Sequence, residues 1–180
     1  MNAIADTKAR YGYGSILLHW IVAALGLYLI WTGYEFMVLP RGAERAAVLG
    51  LHLAAGWIAT LFILVRIAWR LANPLPALTG PTWQRHAART AHWGLLILIV
   101  GLAVTGYIAI TTGRQPVQVL GLFTAPAVFG QGGALHGQSE DVHGWLSHIF
   151  VAVLALHVAA ALKRSLIDKD GTLRRMLRVD

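Results

Sequence analysis

The chain has 180 residues, 57% of them hydrophobic and only 13% charged, with a formal net charge of +7 and no cysteine. A soluble domain carries roughly 25% charged residues, so this composition cannot cover a water-facing surface and indicates a membrane protein. The absence of cysteine excludes disulfides, thiolate chemistry and cysteine-ligated clusters.

The first 15 residues, MNAIADTKARYGYGS, are polar, and no small-residue cleavage pattern follows the next apolar run. That run is therefore expected to stay as a membrane helix rather than to be removed as a signal peptide. Four apolar segments follow in order: about Ile16 to Phe36, Ala46 to Trp69, Thr90 to Ile110 and Val142 to Leu166. Each reaches the roughly 20 helical residues that a hydrocarbon core requires. They lack the period-2 alternation of a β-barrel and are too long for its strands. The expected architecture is an all-α, integral membrane four-helix bundle, read as one domain over residues 1–180.

The connections differ in kind. VLPRGAER is short, and Pro74, Pro76 and Pro81 stop the second helix in an irregular turn. The long third connection contains VQVLGLFTAPAVF, which is too short to span and is interrupted by Pro126. It is expected to lie at the membrane surface. No internal repeat or low-complexity tract is evident.

With the N-terminus inside, twelve basic residues fall on the inner side: Lys8, Arg10, Arg66, Arg70, Arg85, Arg89, Lys163, Arg164, Lys169, Arg174, Arg175 and Arg178. Three fall outside: Arg41, Arg45 and Arg114. This asymmetry places both termini in the cytoplasm. The basic balance is thus explained by topology and anionic lipid headgroups, and nucleic acid is not an expected partner. On the outer side Glu35, Glu44, Glu140 and Asp141 leave a formal sum of −1, so no overall attraction of anions is expected there.

Histidines carry the chemistry. His19, His52, His143 and His157 lie within spans, where ionisable groups are costly and usually functional. His143 and His157 are separated by about 21 Å along a helix and by about 40° around it, so they share a face. His148 lies about 140° from His143 and points elsewhere. Depth in the membrane pairs His52 with His143 on the outer side and His19 with His157 on the inner side. Two neutral imidazoles from opposing helices suit a six-coordinate haem iron. Zinc, by contrast, wants four ligands. Gly56 and Gly144 are candidates for close approach of a flat macrocycle, and Arg66 and Arg70 for its propionates. His92 is as suited to a structural hydrogen bond as to a quinone or haem-edge contact. His86, His136 and His148 are expected to be structural or solvated.

Four stretches resemble the bacterial cytochrome b561 family: ILLHWIVAALGLYLIWTGYEF, LGLHLAAGWIATLFILVRIAWRLANPLPAL, AHWGLLILIVGLAVTGYI and HGWLSHIFVAVLALHVAAALKRSLIDKDGTLRRML. The chain is most similar to its short di-haem members, the superoxide oxidases, from about Tyr11 to Leu177. The resemblance implies two haem b groups held by His19, His52, His143 and His157, with electrons passing from superoxide at the outer face to ubiquinone. It also implies residence in the bacterial inner (plasma) membrane as a multi-pass protein. In one departure, the superoxide oxidase pattern carries a histidine pair after the last ligand, where this chain has Lys163-Arg164. Either could hydrogen-bond a quinone carbonyl, but neither shuttles protons near neutral pH as histidine does. A second reading is a cytochrome b anchor subunit that passes electrons for a partner dehydrogenase or reductase. A third, weaker reading is a histidine-lined metal carrier without haem.

Overall fold

The computed structural model describes residues 4–113, 118–119 and 121–177. Arg114 and Arg178, two of the charges counted above, lie outside the described residues. Four long helices dominate: α1 (Tyr13–Val38), α2 (Ala43–Ala72), α3 (Thr82–Thr111) and α4 (Ala134–Leu166). Two short strands, β1 (Gln118–Val119) and β2 (Phe123–Thr124), follow α3, and a short helix α5 (Thr172–Leu177) follows α4. All four long helices are long and apolar enough to cross a membrane.

Each helix overruns its apolar segment. The third begins at Thr82 rather than near Thr90, with Pro81 at its N-cap. Proline costs nothing there, because a first-turn N–H has no helical partner. The fourth begins at Ala134, eight residues before its apolar stretch. Hydropathy marks where lipid would lie, whereas the helix continues through polar residues until backbone geometry stops it.

The outward faces are apolar. Leu17, Leu27, Trp31, Leu61, Leu64, Ile97, Val104 and Leu156 are all exposed. So many large exposed hydrophobic residues would be untenable in water and are expected against lipid.

The helices form two hairpins. α1 packs extensively on α2, and α3 on α4, whereas contact between the hairpins is slight at the level of the backbone. A repeat that hydropathy did not reveal underlies this arrangement. His19-Trp20 in α1 and His92-Trp93 in α3 are each followed by Thr-Gly-Tyr, whose threonine comes thirteen residues after the histidine. In the second helix of each hairpin, His52 and Arg66 are fourteen residues apart, as are His143 and His157.

The third connection does not cross the membrane again. β1 and β2 pair antiparallel, Gln118 opposite Thr124. The hairpin is pinned to the bundle by the Tyr107 hydroxyl, which donates to the Pro126 carbonyl at 2.5 Å. Phe123 meets the Trp57 ring edge-on at 5.7 Å.

The end that carries both termini is tightly tied. Asp6 is buried and accepts from the Gly12 N–H at 2.6 Å and from the Ser15 hydroxyl at 2.5 Å. Trp69 of α2 donates to Ser15 at 3.1 Å. Arg164, 9% exposed, donates to Asp170 through Nε at 2.8 Å and through Nη2 at 2.5 Å, and to the Thr79 carbonyl at 2.8 Å. Trp20 donates to the Met176 carbonyl at 2.9 Å, fastening α5 to α1.

Burial pushes the Asp170 carboxyl up, but hydrogen bonds from Thr172 and the Arg164 guanidinium outweigh it and hold the group at about 2, below its ordinary 3.8. A lowered carboxyl contributes stability that is present above 3.8 and lost as pH falls toward about 2. Amide exchange in α5 should therefore stay slow down to about pH 4 and accelerate between about pH 4 and 2. In Asp170→Asn that acid-induced step should be absent.

Candidate functional site

Histidines gather at two levels of the bundle. At the end distant from the termini, the rings of His52 (α2) and His143 (α4) face each other with centroids 6.4 Å apart. At the terminal end, His19 (α1) and His157 (α4) face each other at 6.5 Å. The two pairs that depth alone joined are thus the two that the fold brings together.

The spacing has a chemical meaning. Two metal–nitrogen bonds of about 2 Å, with about 1.1 Å more from each nitrogen to its ring centroid, give about 6.3 Å. Both gaps therefore suit one iron ligated from opposite sides. Among the described residues no group of three or more His, Cys, Asp or Glu could hold a metal ion. The donor set thus fits a macrocycle that brings four equatorial nitrogens of its own, and not a bare cation. The slight contact between the hairpins fits the same group, because a planar ring needs the helices that flank it to stand apart.

The distal pair is built the same way twice. Thr32 gives its hydroxyl proton to the Tyr28 carbonyl at 3.0 Å, so its oxygen accepts from His52 Nδ1, 3.0 Å away. Thr105 donates to the Gly101 carbonyl at 2.7 Å, and its oxygen lies 3.2 Å from His143 Nδ1. The Leu102 carbonyl is a second acceptor for that nitrogen at 3.1 Å. With acceptors against both Nδ1 atoms, the favoured tautomer has its proton on Nδ1, which leaves each Nε2 the lone pair with which an imidazole can bind a metal. The glycine after each threonine makes room. A Cβ on Gly33 would lie 3.3 Å from His52 Cε1, and one on Gly106 would lie 3.1 Å from His143 Cε1.

The terminal pair differs. Arg66 of α2 places Nη2 3.2 Å from His19 Nδ1. Guanidinium only donates, so in this arrangement His19 Nδ1 accepts. His92 packs edge-on against His157 with centroids 5.5 Å apart, so His157 lies between two other imidazoles. Arg70 lies over the Trp93 ring, 5.3 Å from its centroid. Phe150, on the face of α4 between the two levels, is buried, and its Cζ is 3.9 Å from the Cβ position of Gly26.

Other candidates fall elsewhere. A Cβ on Gly56 or Gly144 would meet no atom within 4 Å. That open space is what a flat macrocycle lying against the backbone would need, and the histidine rings themselves sit against two further glycines, Gly33 and Gly106, beside Thr32 and Thr105. The repeated Thr-Gly-Tyr was the signal that could have found them. Lys163 is exposed and bridged to Asp168 at 2.7 Å. Arg164 commits its donors to Asp170 and Thr79. His148 is exposed, and its Nδ1 faces the Gly144 carbonyl of its own helix at 2.8 Å. His136 lies against the Ala109 carbonyl at 2.9 Å.

Residues 10–178 match the family described as prokaryotic cytochrome b561. The chain belongs to that family. Cytochrome b561 homolog 2 of Escherichia coli K12 is 32% identical over 97% of this chain and 95% of its own length. Cytochrome b561 homolog 1 of the same organism is 27% identical over 93% of this chain and 97% of its own. A probable superoxide oxidase, CybB of Yersinia pestis, is 24% identical over 93% and 96%. The protein is accordingly a cytochrome b561 family member: a haem-b electron-transfer protein of a prokaryotic membrane.

For such a cytochrome the threonine–glycine device makes a sharp demand. Gly106→Val should drive a side chain into His143, displace its ring and lower the haem content. Gly33→Val should do the same through His52. Overpacking of this kind typically costs about 1–3 kcal/mol. The check is a haem-to-protein ratio for each purified variant.

Proposed function

We propose that the chain holds two haem b groups and passes electrons across the membrane, from superoxide at the outer face to ubiquinone. The observation that carries this reading is the pair of facing imidazoles at each of two levels, each gap one iron wide. His52 and His143 would hold one haem, and His19 and His157 the other. Bound between two imidazoles, such a haem supplies one-electron transfer without an open position for oxygen.

The remaining roles belong to the protein. Thr32, Thr105 and the Leu102 carbonyl orient the distal ligands through Nδ1. Phe150 keeps the space between the levels apolar and excludes water. The preponderance of basic residues toward the terminal end supports placing that end in the cytoplasm and the His52/His143 level toward the outer face. Residence in a bacterial plasma membrane follows from that topology. Arg66 and Arg70 are in position for propionates of the inner haem. Of the three quinone candidates, His92 reaches the histidine cluster, and its imidazole can hydrogen-bond a quinone oxygen. Lys163 and Arg164 are held by Asp168 and Asp170. The probable superoxide oxidase among the relatives supports superoxide as the donor.

A pyridine haemochrome assay on the purified protein should give about two haem b per chain; a value near zero would return the histidines to a haem-free role. His52→Ala and His143→Ala should remove one and the same haem, and His19→Ala and His157→Ala the other. His148→Ala should leave both spectra unchanged. Stopped-flow mixing with superoxide should reduce the haems, and added ubiquinone should reoxidise them. Obligate co-purification with a dehydrogenase or reductase, without turnover of superoxide, would favour the anchor-subunit reading.

A further inference from the structure

Of the five histidines gathered at the two levels, four have a histidine at the equivalent point of the other hairpin, and His157 does not. His19 and His92 stand at equivalent points of α1 and α3, and Thr32 and Thr105 likewise. His52 and His143 stand at equivalent points of α2 and α4. At the inner level of these two helices the match breaks: α4 has His157, whereas α2 has Arg66. The outer pair is thus symmetric, and the contacts described for it are hydroxyls and backbone carbonyls, all neutral. Glu140 and Asp141 lie just before His143 on the same helix. The inner pair has a guanidinium 3.2 Å from one of its imidazoles, and Arg70 lies one turn further on. Asp6 is the acid near Arg66, and its oxygens are taken by Gly12 and Ser15.

We propose that Arg66 sets the direction of electron flow: its fixed positive charge raises the reduction potential of the inner haem above that of the outer one. This inference rests on the di-haem reading above. Guanidinium stays charged at any physiological pH. Reduction adds one negative charge to a haem, and a neighbouring cation favours the reduced form. A unit charge about 10 Å away, at an effective dielectric of about 20, shifts the balance by roughly tenfold. In the transfer itself one electron moves. The outer haem iron goes from ferrous to ferric as the inner goes from ferric to ferrous, and no proton or bond is exchanged. Iron on His19 Nε2 requires the proton on Nδ1, which would then confront the guanidinium N–H. In that state Arg66 would donate elsewhere, its charge staying at the inner level because its backbone does.

The test is a spectroelectrochemical titration of the two-haem protein, with the haems assigned through His143→Ala, which keeps only the inner one. In the wild type the inner haem should have the higher potential. Arg66→Gln should lower the inner haem's reduced-to-oxidised ratio at fixed potential by about tenfold, which is about 59 mV for one electron. The outer haem should not move, and Arg66→Lys should retain the wild-type value. An outer haem of higher potential in the wild type would overturn the proposal. So would an inner potential unchanged in Arg66→Gln, or one that falls as far in Arg66→Lys. If Arg66→Gln does not retain the inner haem, the wild-type order still decides. The haem count separates the two levels of inference: fewer than two haems per wild-type chain would count against the di-haem reading, whereas two haems in the reverse order would count against Arg66 alone.

Discussion

An imidazole inside a bilayer has two nitrogens, and no water is at hand to satisfy either. Leaving one buried and unpartnered is costly, so each histidine in the spans needs a partner on Nδ1 and another on Nε2. The organisation of the helices follows from this double demand. Nδ1 is met within a hairpin, by Thr32 for His52 and by Thr105 and Leu102 for His143. Nε2 of each ring is left without one of these partners, and the two rings meet across the gap between hairpins with centroids 6.4 Å apart. The protein thus divides its labour: contacts inside each hairpin orient the imidazoles, and on the proposed reading the space between the hairpins would take the haem.

This division accounts for the packing. Small residues bring α1 onto α2 and α3 onto α4 at the places where a ring must sit against a backbone, as Gly33 and Gly106 do. Between hairpins the helices stay apart, and Phe150 against Gly26 bridges them midway. Loops and termini supply the rigidity that such a divided bundle lacks. The buried Asp6 ties the N-terminal segment to α1, and Ser15 links it on to Trp69 of α2. Arg164 joins Asp170 to the turn between α2 and α3. At the opposite end the β1–β2 hairpin rests on Trp57 and is held by Tyr107.

The inner level shows how a repeated plan acquires polarity. With Arg66 where the other hairpin has a histidine, the two halves are no longer equivalent: one pair has a guanidinium against it, and the other only hydroxyls and carbonyls. Net charge alone would not reveal this, because most of the basic residues that give the protein its +7 lie toward the ends of the spans and in the connections, where they serve topology. Arg66 differs in being set against an imidazole of the cluster.

The sequence by itself determined a great deal. Apolar length fixes the number of spans, and helical phase puts His143 and His157 on one face with His148 off it. Depth sorts the histidines into His52/His143 and His19/His157. These follow from one-dimensional spacing, because a membrane imposes a single axis on every helix. The ends of the helices were less legible, since hydropathy reports lipid and not backbone, and the third connection read as a surface segment folded into a strand pair. Only the tertiary structure decided which small and polar residues serve the histidines. Gly33 on α1 and Gly106 on α3 meet the rings of His52 and His143, and nothing in the spacing along α2 or α4 names them. Rotation of one helix against its neighbour selects the partner, and no spacing within a single helix encodes that rotation.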